Sequence, residues 1–202
     1  MRKRVLIGAG GHAREVMSVI NRNYPKTSPI SYMFVEDEYY RDDKDYIIPL
    51  SNFNPELYEV MVAIGDSILR ERLVNSLPKE TKFFTYIDPT AIVDRSVVIG
   101  EGSYIGPNSI ITTNVNIGEH VILNRGCQVG HDVIMLNYVS MMPGAIISGG
   151  CRVHDRVYLG TNSSIKEDTI VCSDVTLGLN AGVVKNINKP GVYVGTPTKK
   201  IG

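Results

Sequence analysis

Charge of one sign is missing from this sequence. Its 21 Lys and Arg residues balance 21 Asp and Glu residues for a formal net charge of zero. No basic footprint marks it for nucleic acid or an anionic membrane surface. Long apolar runs are also missing: after Met1-Arg2-Lys3-Arg4, the stretch from Val5 to Ala9 is already interrupted by Gly8. That is too short for the apolar core of a signal peptide or for a membrane span, and the expectation is a cytoplasmic protein without a membrane partner. Cysteine is scarce. Cys127, Cys151 and Cys172 are odd in number and show no C-x-x-C spacing, so neither a disulfide framework nor a zinc site is expected and the three read as reduced packing residues. The four histidines, His12, His120, His131 and His154, never form a closely spaced pair, and no metal is expected. What remains is a chain of 202 residues with 43% hydrophobic content, enough for one large domain or two small ones and suited to work on small molecules.

Two periodicities divide the chain. From Arg4 to about Ile87, apolar runs (Val5-Leu6-Ile7, Ile30 to Val35, Val60 to Ile64) alternate with helix-like stretches (His12 to Asn21, Ser67 to Leu77). Short parallel strands with crossover helices read this way. Phe83 to Ile87 reads as one further strand, and Glu36 to Asp45 as a charged surface loop. In the second helix Ile68, Leu69, Leu73 and Leu77 recur at helical spacing, which assigns Arg70, Glu71 and Arg72 to the solvated side.

Beyond Asp88-Pro89 the period becomes six and holds without insertion. Every sixth residue from Val93 to Val183 is large and apolar, and the residue two before each is small or β-branched, from Ala91 to Ala181. In a strand, residues i and i+2 share a face, so both point inward, while Gly, Asn and charged residues between them take the turns. Three sides of six residues close a triangular coil, and sixteen repeats build a little over five coils. The sequence therefore predicts an α/β domain over residues 1–87 followed by an all-β parallel β-helix with a C-terminal tail over residues 88–202.

Several motifs carry chemistry within this frame. Gly8-Ala9-Gly10-Gly11-His12-Ala13 lies between a strand and a helix, where glycines let phosphate approach a helix N-terminus; a tight strand–helix turn without ligand is the lesser alternative. Taken by itself, His131 is a surface histidine at a repeat boundary.

Together with Val62-Ala63-Ile64-Gly65-Asp66, the six-residue repeat, Gly130-His131-Asp132 and the closing Val194-Gly195-Thr196-Pro197-Thr198-Lys199, these residues resemble the hexapeptide-repeat acyltransferases. Within them they are most similar to the group of sialic acid O-acetyltransferases and bacterial amino-sugar N-acetyltransferases (NeuD/PglD-like). The resemblance implies a Rossmann-like N-terminal domain for the sugar acceptor, a left-handed β-helix, and a homotrimer that holds acetyl-CoA between neighbours. It implies N-acetylation of a nucleotide-linked amino sugar in bacterial surface-glycan biosynthesis. O-acetylation of sialic acid or a related sugar, and a non-catalytic nucleotide-sugar-binding β-helix, remain as alternatives.

By matching position, the resemblance implies His131 as general base, Asp132 orienting it and Asn124 near the reacting atoms. Gly10, Gly11, His12, Glu36, Asp37, Gly65 and Asp66 would line the acceptor pocket. Ser140, where several relatives have a histidine, Gly149, Gly160, Thr161 and Gly178 would contact acetyl-CoA, and Lys199 and Lys200 its phosphates. Imidazole suits the base's task because it titrates near neutral pH. The Asp132 assignment requires a turn, since neighbours on a strand point apart. His120, His154 and, apart from its pocket role, His12 read as surface residues.

Overall fold

In the computed structural model, which describes residues 2–24 and 29–201, the N-terminal unit is a five-stranded parallel sheet. It comprises β1 (Lys3–Ile7), β2 (Met33–Val35), β3 (Ile47–Pro49), β4 (Tyr58–Val62) and β5 (Lys82–Phe83), in the order β3-β2-β1-β4-β5. Strand alternation sorts its core into two layers. Leu6, Met33 and Met61 face helix α1 (Gly11–Asn23) through Ala13, Val16 and Ile20, whereas Val5, Ile7, Phe34, Val60 and Val62 face helix α2 (Ser67–Ser76) through Leu73. Among the described residues, no helix is long and apolar enough to cross a membrane.

Phe83 to Ile87 is not one strand. Lys82–Phe83 closes the sheet beside β4, while β6 (Tyr86–Ile87) pairs with Tyr104–Ile105 and is the first rung of the β-helix. The β-helix thus starts two residues before the boundary read from the sequence. Apolar composition marks both halves of this segment as strand, and only the partners available differ.

From there the chain winds in coils of eighteen residues, Ile110 stacking on Ile92 and Gln128 on Ile110. Three faces result. The first runs from Tyr86 through Tyr104, Ile122, Ser140 and Tyr158 to Val175–Leu177, the second from Ile92 to Val183, and the third from Val98 to Val171. The expected inward pairs fill the prism, with Val115 beside Ile117, Val121 beside Leu123 and Cys127 beside Val129 all buried. Val93 and Ile99 are only partly buried, because the first coil has no coil beneath it. Corners are made by two-residue turns whose second residue has positive φ, supplied by Asn108, Asn114, Asp132, Asn162, Asp168 and Asn180 among others; Asn and Asp tolerate that region best after glycine. Cys127, Cys151 and Cys172 are free thiols, the first two buried in the core.

The N-terminal unit packs on the first face alone. Tyr104 and Ile122 join the core layer that contains Leu6, Ala13 and Val16, and Ser140 hydrogen-bonds Gly65.

Candidate active site

His131 and Asp132 occupy the turn between the second and third faces. Asp132 has φ +59°, which swings its carboxylate back to the imidazole of the preceding residue, and Nδ1 of His131 lies 2.8 Å from Oδ2 of Asp132. The turn that a His–Asp pair requires is therefore present. Both side chains are exposed, at 68% and 57%. Asn114, one coil below, donates to the other carboxylate oxygen at 3.3 Å. The hydrogen bond from His131, then that from Asn114, holds the Asp132 carboxyl below its ordinary range, so it remains an anion able to fix the imidazole with Nδ1 protonated and Nε2 free. Gly149 lies one coil above: a Cβ there would sit 2.6 Å from Cε1 and Nε2 of His131. The ring rests on this glycine.

The N-terminal unit carries two clefts. One, about 470 Å³, opens at the C-terminal ends of β1 and β2 and is walled by Ile7, Gly8, Gly10, Glu36, Ile64 and Leu73. That is where open parallel sheets bind ligands. At its edge, the backbone of Gly10 and Gly11 borders open space at the start of α1, whose first turn holds no acidic residue. The two acidic residues are engaged elsewhere: Glu36 pairs with Arg72 at 2.8 Å, and the Asp37 carboxylate accepts from the Ser51 amide at 3.0 Å. The second cleft, about 490 Å³, lies between the start of α2 and the first face, walled by Gly65, Asp66, Ser67, Met142, Arg156 and Tyr158. Asp66 also caps α2, accepting from the Leu69 amide at 2.8 Å.

Comparison with known proteins matches residues 3–77 to the PglD N-terminal domain. The chain is 34% identical over 198 residues to uncharacterized protein L142 of Acanthamoeba polyphaga mimivirus, covering 97% of this chain and 40% of that protein. It is 29% identical over 112 residues to UDP-N-acetylbacillosamine N-acetyltransferase of Bacillus subtilis strain 168, covering 52% and 51% of the two chains. The chain thus spans about half, or less, of the length of these relatives. Among solved structures, the acetyltransferase domain of PglB from Neisseria gonorrhoeae FA1090, in complex with acetyl coenzyme A, superposes with a TM-score of 0.87 at 26% identity over 99% of each chain. Residues 3–77 thus resemble the PglD N-terminal domain, and the chain as a whole is similar to a hexapeptide-type acetyltransferase domain.

The remaining residues singled out from the sequence fall in separate places. Asn124, Gly160 and Gly178 stack, with Met142 between the first two, in one ladder on the corner between the first and second faces, with Thr161 exposed beside it. That corner is one prism side, roughly 20 Å, from His131. Asn124 is buried and lines a small hollow with His12, Tyr104 and Arg125. Gly160 and Gly178 have packing reasons of their own, since a Cβ at Gly160 would meet the Leu177 carbonyl at 2.6 Å and one at Gly178 would meet Val194 at 2.8 Å. Ser140 is fully buried; its hydroxyl donates to the Gly65 carbonyl at 2.8 Å and lies 3.2 Å from the Ser67 hydroxyl, so within this chain it serves the contact between the two units. Lys199 and Lys200 lie exposed on the terminal strand, antiparallel to Gly191–Val194.

Three readings from the sequence are corrected. His120 is buried at 2% exposure, stacked on Tyr138 and edge-on to Phe83, because its turn is covered by the N-terminal unit. His12 also has a buried Nε2; burial, then Arg70, pulls each of these imidazoles down to about 4. Finally, Arg70 is fully buried while Ile68 is 65% exposed: α2 is rotated so that the guanidinium, not the aliphatic, meets the β-helix.

Proposed function

We propose that this protein is an acetyl-CoA-dependent N-acetyltransferase acting on the amino group of a nucleotide-linked amino sugar, with His131 as its general base. The observation that carries the reading is the His131–Asp132 pair, 2.8 Å apart on an outward turn. An aspartate that fixes Nδ1 leaves Nε2 free to accept a proton from an attacking amine. Acetyl-CoA supplies the thioester; His131 takes the proton lost as nitrogen attacks the carbonyl carbon, Asp132 stabilises the imidazolium that forms, and the C–S bond then breaks, CoA leaving as the thiol with the proton that His131 returns. The similarity to the PglB acetyltransferase domain and to the Bacillus subtilis enzyme supports this chemistry. The cleft beside Gly10 suits a nucleotide, its apolar wall from Ile7, Ile64 and Leu73 taking a base and the α1 N-terminus the phosphates.

The active protein is a homotrimer in this reading. His131 sits on the corner opposite the face that carries the acceptor clefts, so one chain cannot bring base and acceptor together. A neighbouring prism can, by setting its Asn124–Gly160–Gly178 corner against His131 and Gly149, with the acetyl-CoA arm between them. The two faces that meet at His131 carry exposed Ile92, Ile110, Ile146, Val98 and Ile170, an apolar stripe such a contact would cover.

The decisive test measures thiol release from acetyl-CoA with a panel of UDP-, GDP- and dTDP-linked 3-amino and 4-amino sugars and with sialic acid. Turnover is expected with an amino sugar. Turnover with sialic acid alone would make the protein an O-acetyltransferase, and none with any acceptor would leave only a binding role. Sedimentation should give a trimer; a fully active monomer would overturn the split site.

A further inference from the structure

The wall between the two clefts is one segment, the loop after β4 and the first residues of α2. Ile64 lines the cleft at the sheet edge, and the next four residues, Gly65 to Ile68, line the one against the β-helix. A ligand that reaches from one cleft into the other crosses this loop, so its height above the β-helix decides how the two clefts align.

One side chain holds it. Arg70 is fully buried, and no carboxylate lies within ion-pairing distance of it among the described residues. Its guanidinium instead donates to five carbonyls. Nη1 reaches Ile64 at 2.6 Å and Gly65 at 3.3 Å, both on the loop. Nε reaches His120 at 2.9 Å, and Nη2 reaches Tyr138 at 2.6 Å and Val139 at 3.3 Å, all on the β-helix. The planar fork thus spans the junction, one edge on each unit, a geometry that Lys with its single nitrogen cannot reproduce. A second tie runs parallel to it, from the Ser140 hydroxyl to the Gly65 carbonyl.

A buried charge hydrogen-bonded only to carbonyls is a costly way to glue two units, since apolar packing of similar volume serves adhesion as well or better. What the fork supplies that aliphatic packing does not is direction: five acceptors fix the loop's height and tilt. We infer that Arg70 is a positioning residue for acceptor recognition, holding the Ile64–Ile68 segment at the height where the two clefts form one continuous site. This rests on the acceptor binding across the N-terminal unit, as proposed above.

The test compares Arg70→Met, Arg70→Lys and Ser140→Ala with the wild-type trimer, using a UDP-linked 4-amino sugar and acetyl-CoA and following amide hydrogen exchange over residues 64–68. Arg70→Met should raise acceptor KM by roughly 10-fold or more, as expected for a displacement on the scale of an ångström. It should leave acetyl-CoA KM within about twofold by the same reasoning. Arg70→Lys and Ser140→Ala should shift acceptor KM in the same direction by less, and exchange in the loop should quicken while that of β1 and the coils does not. A merely structural role would lower the active fraction and melting temperature with both KM values unchanged, and that result overturns the inference. Should Arg70→Met fail to fold, the other two variants decide by the same KM split. If wild-type protein turns over no acceptor, the proposed function fails, and unchanged loop exchange in the folded variants would separately defeat the positioning role.

Discussion

Gly149→Ala tests the proposed catalytic corner with the least disturbance elsewhere. A Cβ at this position would stand 2.6 Å from both Cε1 and Nε2 of His131, whereas ordinary carbon contacts lie near 3.5–4.0 Å. The imidazole must retreat by about 1 Å, the difference between those distances. It can do so freely, being 68% exposed, but it then leaves the position from which Nδ1 meets Asp132 at 2.8 Å. An ångström of misplacement in a base costs roughly 10²-fold in rate. Folding should be untouched, because Gly149 has negative φ and the methyl group displaces an exposed ring rather than core. Steady-state kinetics with both substrates, alongside a thermal melt, reads the result: kcat falls about 100-fold while melting temperature and both KM values hold. If acetyl-CoA KM rises and kcat does not fall, Gly149 acts as a cofactor contact and its place against His131 is incidental. Unchanged kinetics would refute the claim that the observed ring position is the working one.

Other consequences are direct. His131→Ala should lower kcat by roughly 10²- to 10⁴-fold, the usual share of a general base, with little change in melting temperature since no core cavity opens; Asp132→Asn should cost less, because the imidazole remains. Gly10→Val points a side chain into open space at the start of α1, and should raise acceptor KM while leaving that of acetyl-CoA unchanged. His120, pulled from 6.5 to about 4 by burial and then by Arg70, resists protonation in the folded chain while the unfolded chain accepts it. Stability is therefore complete above 6.5 and declines as pH falls toward 4, by about 3 kcal/mol at 1.36 kcal/mol per pH unit. Urea titrations should show at least that loss between pH 7 and 4, with His12 adding to it through its own lowered pKa, and His120→Asn, whose side chain suits the φ of +53° there, should flatten the profile by about 3 kcal/mol; an unchanged slope would count against the buried neutral imidazole.

The β-helix was almost wholly legible because its period ties every residue to a role: large inward, small inward, outward, turn. The rule even set the site's local geometry, since Asp132 falls on the positive-φ position that Asn108, Asn114 and Asn162 occupy elsewhere. Phe83 to Ile87 escaped it. Five apolar or β-branched residues read as one strand until two competing sheets divide them, and strand propensity carries no information about which partner lies alongside.

What stayed illegible belongs to the docking of one unit on the other, which no periodicity records. Arg70 lies in a charged run, Arg70-Glu71-Arg72, that a helical wheel assigns to solvent, because solvating three charges is cheaper than burying one unless acceptors wait for it. Here they do wait: the corner turns at His120 and Tyr138 point carbonyls out of the prism, and nothing in the spacing of the repeat says which corner another unit will cover. His120 is hidden by the same contact, and Ser140 spends its hydroxyl there. The departure at Ser140 and the buried arginine thus have one physical source. At the face where the units meet, side chains that a bare β-helix would offer to ligand or solvent are used to hold the loop between the two clefts.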